Sequence, residues 1–99
     1  MAKRKIIWSR RASIKLYSIL EFYIKRNKSN TYSIKLHRII LKEINLLHKN
    51  PDLGIKTTED TTRGLIVGSF IIYYEVTDNE IVIHSIWDSR QNPDNKIIK

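Results

Sequence analysis

The spacing of apolar side chains changes once along this chain, near Pro51, and that change limits the possible folds more than any other feature. Before Pro51, apolar residues recur every three or four positions, which is typical of amphipathic helices. After it, short runs of β-branched and aromatic residues alternate with turn residues, which is typical of strands. A helical half followed by a strand-rich half predicts an α+β domain.

The first half predicts a short strand at residues 5–9 and then two helices. Ser9 is placed to cap the first helix, which should end near residues 25–27. The second should begin near residues 29–31 and stop before Pro51, because a residue that precedes proline avoids the helical region. The short break between the helices predicts an antiparallel hairpin. The two apolar stripes are Ala12, Leu16, Ile19, Leu20 and Tyr23, then Tyr32, Leu36, Ile39, Ile40, Ile44 and Leu47.

The second half predicts a polar loop at 51–62 and three strands at 63–67, 70–76 and 80–87. The turns at 68–69 and 77–79 are short enough for antiparallel hairpins. The whole order is β-α-α-β-β-β, with the helical hairpin packed on one face of a small twisted, mainly antiparallel four-stranded sheet. We expect one domain over residues 1–99, with a polar tail from about residue 91.

Composition excludes several kinds of site. The chain has 99 residues and no cysteine, which excludes disulfides, cysteine-based zinc sites and thiol nucleophiles. Its 3 histidines are far apart in sequence, so we expect no metal site and no cofactor. No apolar run approaches the roughly 18–20 residues of a membrane span, and no signal peptide is visible, so the expected location is the cytoplasm.

The formal net charge of +8 is unevenly distributed. Residues 1–50 hold 13 Lys and Arg against 2 acids, whereas residues 51–99 hold 5 against 8. Two interpretations stay open: a solvated helix face, or a basic face that binds nucleic acid or an acidic protein. Because the surplus lies in the helical half, an acidic protein partner over the helices fits it better than a nuclease site on the sheet.

The order of elements, with these residues, resembles the RelE/ParE superfamily of toxins from bacterial type II toxin–antitoxin modules. The resemblance runs from about residue 6 to residue 93, and the helices and the segment Pro51-Asp-Leu-Gly54 are closer to the ParE branch. The segments that carry the resemblance are residues 7–9 with Ala12, residues 22–24 with 26–27, and residues 50–54, 63–65, 67–76 and 83–90.

This resemblance implies a growth-inhibiting toxin that a cognate antitoxin neutralises. The antitoxin would be an acidic protein from a neighbouring gene, and the two would form a hetero-oligomer. Members of the ParE branch inhibit DNA gyrase, and members of the RelE branch cut mRNA on the ribosome. We favour the gyrase-directed reading. The alternatives are a metal-independent mRNA endoribonuclease and a non-toxic degenerate member that binds nucleic acid, so enzymatic activity stays open.

A nuclease reading has its own candidate residues, because RNA cleavage without a metal needs a base, a cation and a proton donor. Arg63 and Arg90 fall where the superfamily carries arginines, and Lys56 lies in the preceding loop. Each could stabilise phosphate charge, but for Lys56 alone a solvated lysine is the favoured interpretation. For the arginines the alternative is ion pairing with acids of the sheet half, namely Glu75, Asp78 or Asp88. No His or Tyr follows Arg90, which weakens the case for catalysis.

Other candidates are surface contacts. Tyr17, Arg38, Lys42 and Trp87 are predicted to contact the antitoxin or the target, with core packing as the alternative for Trp87. His84 lies within a predicted strand, between apolar neighbours, and we interpret it as a structural histidine. Tyr73 and Tyr74 are likewise interpreted as packing residues.

Overall fold

The computed structural model describes residues 4–58 and 61–88. In chain order the elements are strand β1, helices α1 and α2, and strands β2 to β5, with single 3₁₀ turns at Leu46–His48 and Pro51–Leu53. Their bounds are β1 Lys5–Trp8, α1 Arg10–Asn27, α2 Thr31–Asn45, β2 Ile55–Lys56, β3 Thr62–Val67, β4 Phe70–Val76 and β5 Glu80–Asp88. The α+β class and the predicted order of the main elements are confirmed.

Within the described residues the sheet has five strands rather than the predicted four, in the order β1-β5-β4-β3-β2. β1 runs parallel to β5, and the other neighbours are antiparallel, so the sheet is mixed. The additional strand is β2, which pairs Ile55 with Gly64 and Lys56 with Arg63. We predicted a polar loop at this position, because two residues are too few to show an alternating pattern.

Local signals explain the helical hairpin. The Ser9 hydroxyl accepts a hydrogen bond from the Ala12 amide at 3.0 Å, which confirms the predicted cap. α1 ends at Asn27, and Lys28 follows in the left-handed conformation that commonly terminates helices. The Ser33 hydroxyl donates to the Leu20 carbonyl at 2.7 Å and ties the two helices together. α2 ends at Asn45, before the expected stop at Pro51, because its last turn tightens into the 3₁₀ turn.

The core lies between the helical hairpin and one face of the sheet. α1 contacts β5, and α2 contacts β3. The largest fully buried side chains are Phe70, Tyr74, Ile40, Ile44, Leu47, Ile72, Ile81, Ile83 and Ile86. Tyr32 and Ile39, at the border of the predicted stripe, are exposed instead. No helix within the described ranges is long and apolar enough to cross a bilayer.

The sheet face that points away from the helices, called the open face, carries an irregularity in β5. Tyr73 pairs with Ser85 and Tyr74 pairs with Ile83, so His84 is an extra residue in the ladder. Since Ile83 and Ile86 are both buried on the helix side, His84 and Ser85 both project toward the open face. Such bulges redirect side chains and frequently occur beside functional sites.

Candidate functional site

A turn at residues 51–54 is held to the sheet by Tyr74 and Arg63. The Tyr74 hydroxyl donates to the Pro51 carbonyl at 2.7 Å and accepts from the Gly54 amide at 2.8 Å. Arg63 Nη1 donates to the Gly54 carbonyl at 3.0 Å, and its Nη2 lies 3.6 Å from Asp52 Oδ1. These contacts fix the segment that precedes β2.

Burial raises the pKa of Tyr74 above its usual value of 10.0, and the nearby Asp52 charge adds to the rise. The Gly54 hydrogen bond and the Arg63 charge lower it and offset part of the effect. The phenol therefore stays protonated and keeps its bond to the Pro51 carbonyl. Tyr74 is a packing residue, as predicted from the sequence.

The structure places the nuclease candidates as follows. Lys56 is exposed on β2, directly opposite Arg63 in the ladder. Arg63 pairs with Asp52, which corrects the alternative that named Glu75, Asp78 or Asp88 as its partner. The reason is its position: Arg63 lies opposite Tyr74 and reaches the 51–54 turn. Arg90 lies outside the described residues.

A groove runs between α1 and the outer edge of β5. This Trp87 groove has a volume of about 620 Å³. Lys15 Nζ lies 6.0 Å from the centre of the Trp87 ring, a distance at which a cation is attracted to an indole face. Trp87 is thus a half-buried groove residue outside the hydrophobic core. The lining residues are Arg10, Arg11, Ile14, Lys15, Ser18, Ser85, Ile86 and Trp87.

The other predicted contact residues lie elsewhere. Arg38 and Lys42 line a separate groove of about 490 Å³ on α2, called the α2 groove, together with Leu41, Asn45, Leu46 and Lys49. Tyr17 is 65% exposed on α1 and lines neither groove. The four residues therefore lie on three surfaces, with Arg38 and Lys42 together in the α2 groove.

A third cavity, of about 590 Å³, lies on the open face and is called the open-face cavity. His84 Nε2 and Glu75 Oε1 lie 3.0 Å apart there, across β5 and β4. Sequence reasoning missed this pair, because no local signal announces a bulge that turns His84 outward. The lining residues are Ser9, Arg11, Thr57, Thr58, Thr61, Thr62, Tyr73, Glu75, His84 and Ser85. Within residues 4–58 and 61–88, no group of three or more His, Cys, Asp or Glu is arranged to hold a metal ion.

The family is decided by a sequence comparison. The family model described as "ParE toxin of type II toxin-antitoxin system, parDE" matches residues 6–93. The chain belongs to the ParE toxin family. Membership confirms the resemblance to RelE/ParE superfamily toxins. No curated protein sequence matches the chain at a significant level.

Solved structures share the fold of this ParE family member. The chromosomal ParDE toxin–antitoxin system from P. aeruginosa has a TM-score of 0.73 at 22% identity, covering 85% of this chain and 94% of that one. The YoeB dimer from Staphylococcus aureus has a TM-score of 0.60 at 20% identity, covering 85% and 94%. The E. coli DinJ–YafQ toxin–antitoxin complex has a TM-score of 0.53 at 14% identity, covering 92% and 98%.

Proposed function

We propose that this protein is a growth-inhibiting toxin of the bacterial cytoplasm that acts on DNA gyrase and is neutralised by a cognate antitoxin. Membership of the ParE toxin family supports the toxin role. The observation that carries the gyrase direction is the position of Arg63. Its guanidinium already bonds to Gly54 and lies beside Asp52, so it holds a turn instead of presenting a free cation to RNA phosphate.

The Trp87 groove is the proposed antitoxin site. Three cations, Arg10, Arg11 and Lys15, surround an apolar floor that includes Ile14 and Trp87, and none of the described lining residues is acidic. An acidic segment with apolar side chains would complement both properties. Solved ParDE and DinJ–YafQ structures are toxin–antitoxin systems, which supports such a partner here.

The geometry of β5 favours an extended antitoxin segment. β1 pairs with β5 only along residues 80–83, so β1 leaves the outer edge of β5 uncovered from Ser85 onward. An extended peptide can add to such an edge through main-chain hydrogen bonds while its side chains enter neighbouring pockets. We propose that Arg38, Lys42 and Tyr17, which lie outside this groove, are contacts for the target.

One observation favours the alternative of a ribosome-dependent mRNA endoribonuclease. Lys56 is exposed directly opposite Arg63, so two cations are adjacent at the edge of the sheet. In that reading Lys56, Arg63 and Arg90 stabilise phosphate charge during cleavage. A non-toxic nucleic-acid-binding member would instead use the basic helices to hold phosphates without killing the cell.

The experiment is induction of the gene with and without the neighbouring gene that encodes a small acidic protein, followed by gyrase supercoiling and mRNA-integrity assays. We expect growth arrest that the neighbour relieves, inhibited supercoiling and intact mRNA. New mRNA ends with normal supercoiling would transfer the function to the nuclease alternative. Growth without arrest would leave the nucleic-acid-binding alternative.

Lys56→Gln is the matched variant, because it removes an exposed cation without touching the 51–54 turn. The gyrase reading expects its toxicity to be retained. The nuclease reading expects toxicity to fall, with the fold unchanged by circular dichroism.

A further inference from the structure

We infer that the α2 groove binds an acidic amphipathic helix of the cellular target. The inference rests on the proposed function, in which the target is DNA gyrase, and it specifies the chemistry of the segment that is bound. The groove faces away from the core side of α2, on which Leu36, Ile40 and Ile44 are buried. All six lining residues are exposed, so the groove is open to a partner.

Three cations give the groove its charge. They are Arg38, Lys42 and Lys49, and none of the described lining residues is acidic. No ion pair among the described residues includes any of the three. At about 3.6 residues per turn they follow one side of the helix for roughly 16 Å, which is about three turns. A partner with carboxylates at a similar spacing would complement these charges.

Two leucines accompany the cations and distinguish a protein partner from nucleic acid. Leu41 and Leu46 line the same groove and are 40% and 44% exposed. The phosphate backbone of a duplex would neutralise the cations and leave both leucines in water. A protein segment with apolar side chains beside its acids would remove the leucines from water as well. The mixture therefore favours an acidic amphipathic segment.

The backbone of α2 determines the conformation of that segment. The amide groups of residues 38–45 lie inside the helix and are bonded within it, so an extended partner cannot pair with them as it can with the edge of β5. The buried backbone of the partner must then satisfy its own polar groups, which an α-helix does. Such a helix presents its contact residues three, four or seven positions apart. We therefore expect the carboxylates at that spacing.

The first test is chemical cross-linking of the full chain to purified DNA gyrase. A zero-length carbodiimide joins a lysine amine to a carboxylate only where the two are in contact, and mass spectrometry identifies both residues. We expect links from Lys42 and Lys49 to Asp or Glu residues that are three, four or seven positions apart on one gyrase helix. Links to a loop or a strand, or a complex without links from these lysines, would overturn the inference.

The second test is charge reversal, with association measured by surface plasmon resonance at low ionic strength. Lys42→Glu should slow association with gyrase about fivefold or more, because opposite charges steer the encounter. Lys35→Glu is the matched control, since Lys35 is exposed on the same helix but does not line the groove, and its rate should stay within about twofold. Circular dichroism checks the fold. Lys42→Gln, which adds no acid, decides the matter if Lys42→Glu does not fold.

Failure of the inference and failure of the proposed function give different results. A parent chain that neither binds gyrase nor inhibits supercoiling removes both. A parent chain that inhibits supercoiling, with Lys42→Glu associating equally fast, keeps the function and overturns the inference alone. Equal slowing by Lys35→Glu would also overturn it, because the attraction would then be diffuse. So would binding of anionic lipid vesicles or duplex DNA that Lys42→Glu removes while gyrase binding remains.

Discussion

Tyr74 and Gly54 approach each other so closely that a Cβ on Gly54 would lie 2.7 Å from Tyr74 Cε1 and 2.8 Å from its hydroxyl oxygen. The same hydroxyl accepts the Gly54 amide hydrogen bond. The pair joins the segment after the helices to the middle of the sheet. Several consequences of this contact are measurable.

Replacing Gly54 by alanine should lower the free energy of unfolding by about 1–3 kcal/mol, the usual cost of overpacking a tight contact. The added methyl displaces either the fully buried Tyr74 ring or the 51–54 turn. Urea denaturation measures the loss. Gly68→Asn is the control, because Gly68 has open space and a left-handed φ of 61° that asparagine tolerates. Equal stability of Gly54→Ala and the parent chain would contradict the contact.

Replacing Tyr74 by phenylalanine should cost about 1–3 kcal/mol, since it leaves the Gly54 amide and the Pro51 carbonyl without their partner. The ring itself stays, so the core is kept. Tyr17→Phe is the matched control because Tyr17 is 65% exposed, and its stability should not change. Unchanged stability of Tyr74→Phe would show that the two hydrogen bonds contribute little.

Alkaline pH should destabilise the protein through Tyr73 and Tyr74. Burial raises both native pKa values above 10.0, so the unfolded state loses these protons first as the pH rises. The stabilisation is complete below pH 10.0 and declines as the pH rises toward the raised native values. Denaturation at several pH values measures this decline. It should be shallower in Tyr74→Phe, and an identical slope would exclude Tyr74 as a source.

Replacing Trp87 by alanine should weaken binding of the proposed antitoxin about tenfold or more, because large aromatic residues in a groove commonly dominate an interface. Leu41→Ala in the separate α2 groove is the control and should leave the affinity within about twofold. Surface plasmon resonance with the purified partner gives both values. The reverse order would move the antitoxin site to α2.

Much of the fold could be predicted from the sequence because its signals are local. Ser9 precedes an apolar stripe with helical spacing, and the structure confirms it as the cap of α1. The three long strands also appear close to their predicted bounds. β2 was missed because Ile55 and Lys56 form a strand only through their pairing with β3.

The sites were harder to predict, because they depend on distant contacts. Arg63 pairs with Asp52 only when β3 is paired with β4 so that Arg63 lies opposite Tyr74. No sequence pattern specifies that register. His84 faces the open-face cavity only because of a one-residue bulge in the ladder. The predicted roles of Lys56, Arg63 and Arg90 in catalysis stay predictions.

The parallel pairing of β1 with β5 has a consequence for synthesis. Lys5 lies opposite Glu80, so β1 cannot join the sheet until β5 has left the ribosome. Long-range pairing of this kind is slow to form because the intervening chain must first be closed into a loop. A nascent chain that stalls before residue 80 therefore lacks β5, which lines both the Trp87 groove and the open-face cavity. Translation products that stop before residue 80 should therefore be inert, because neither surface forms without β5.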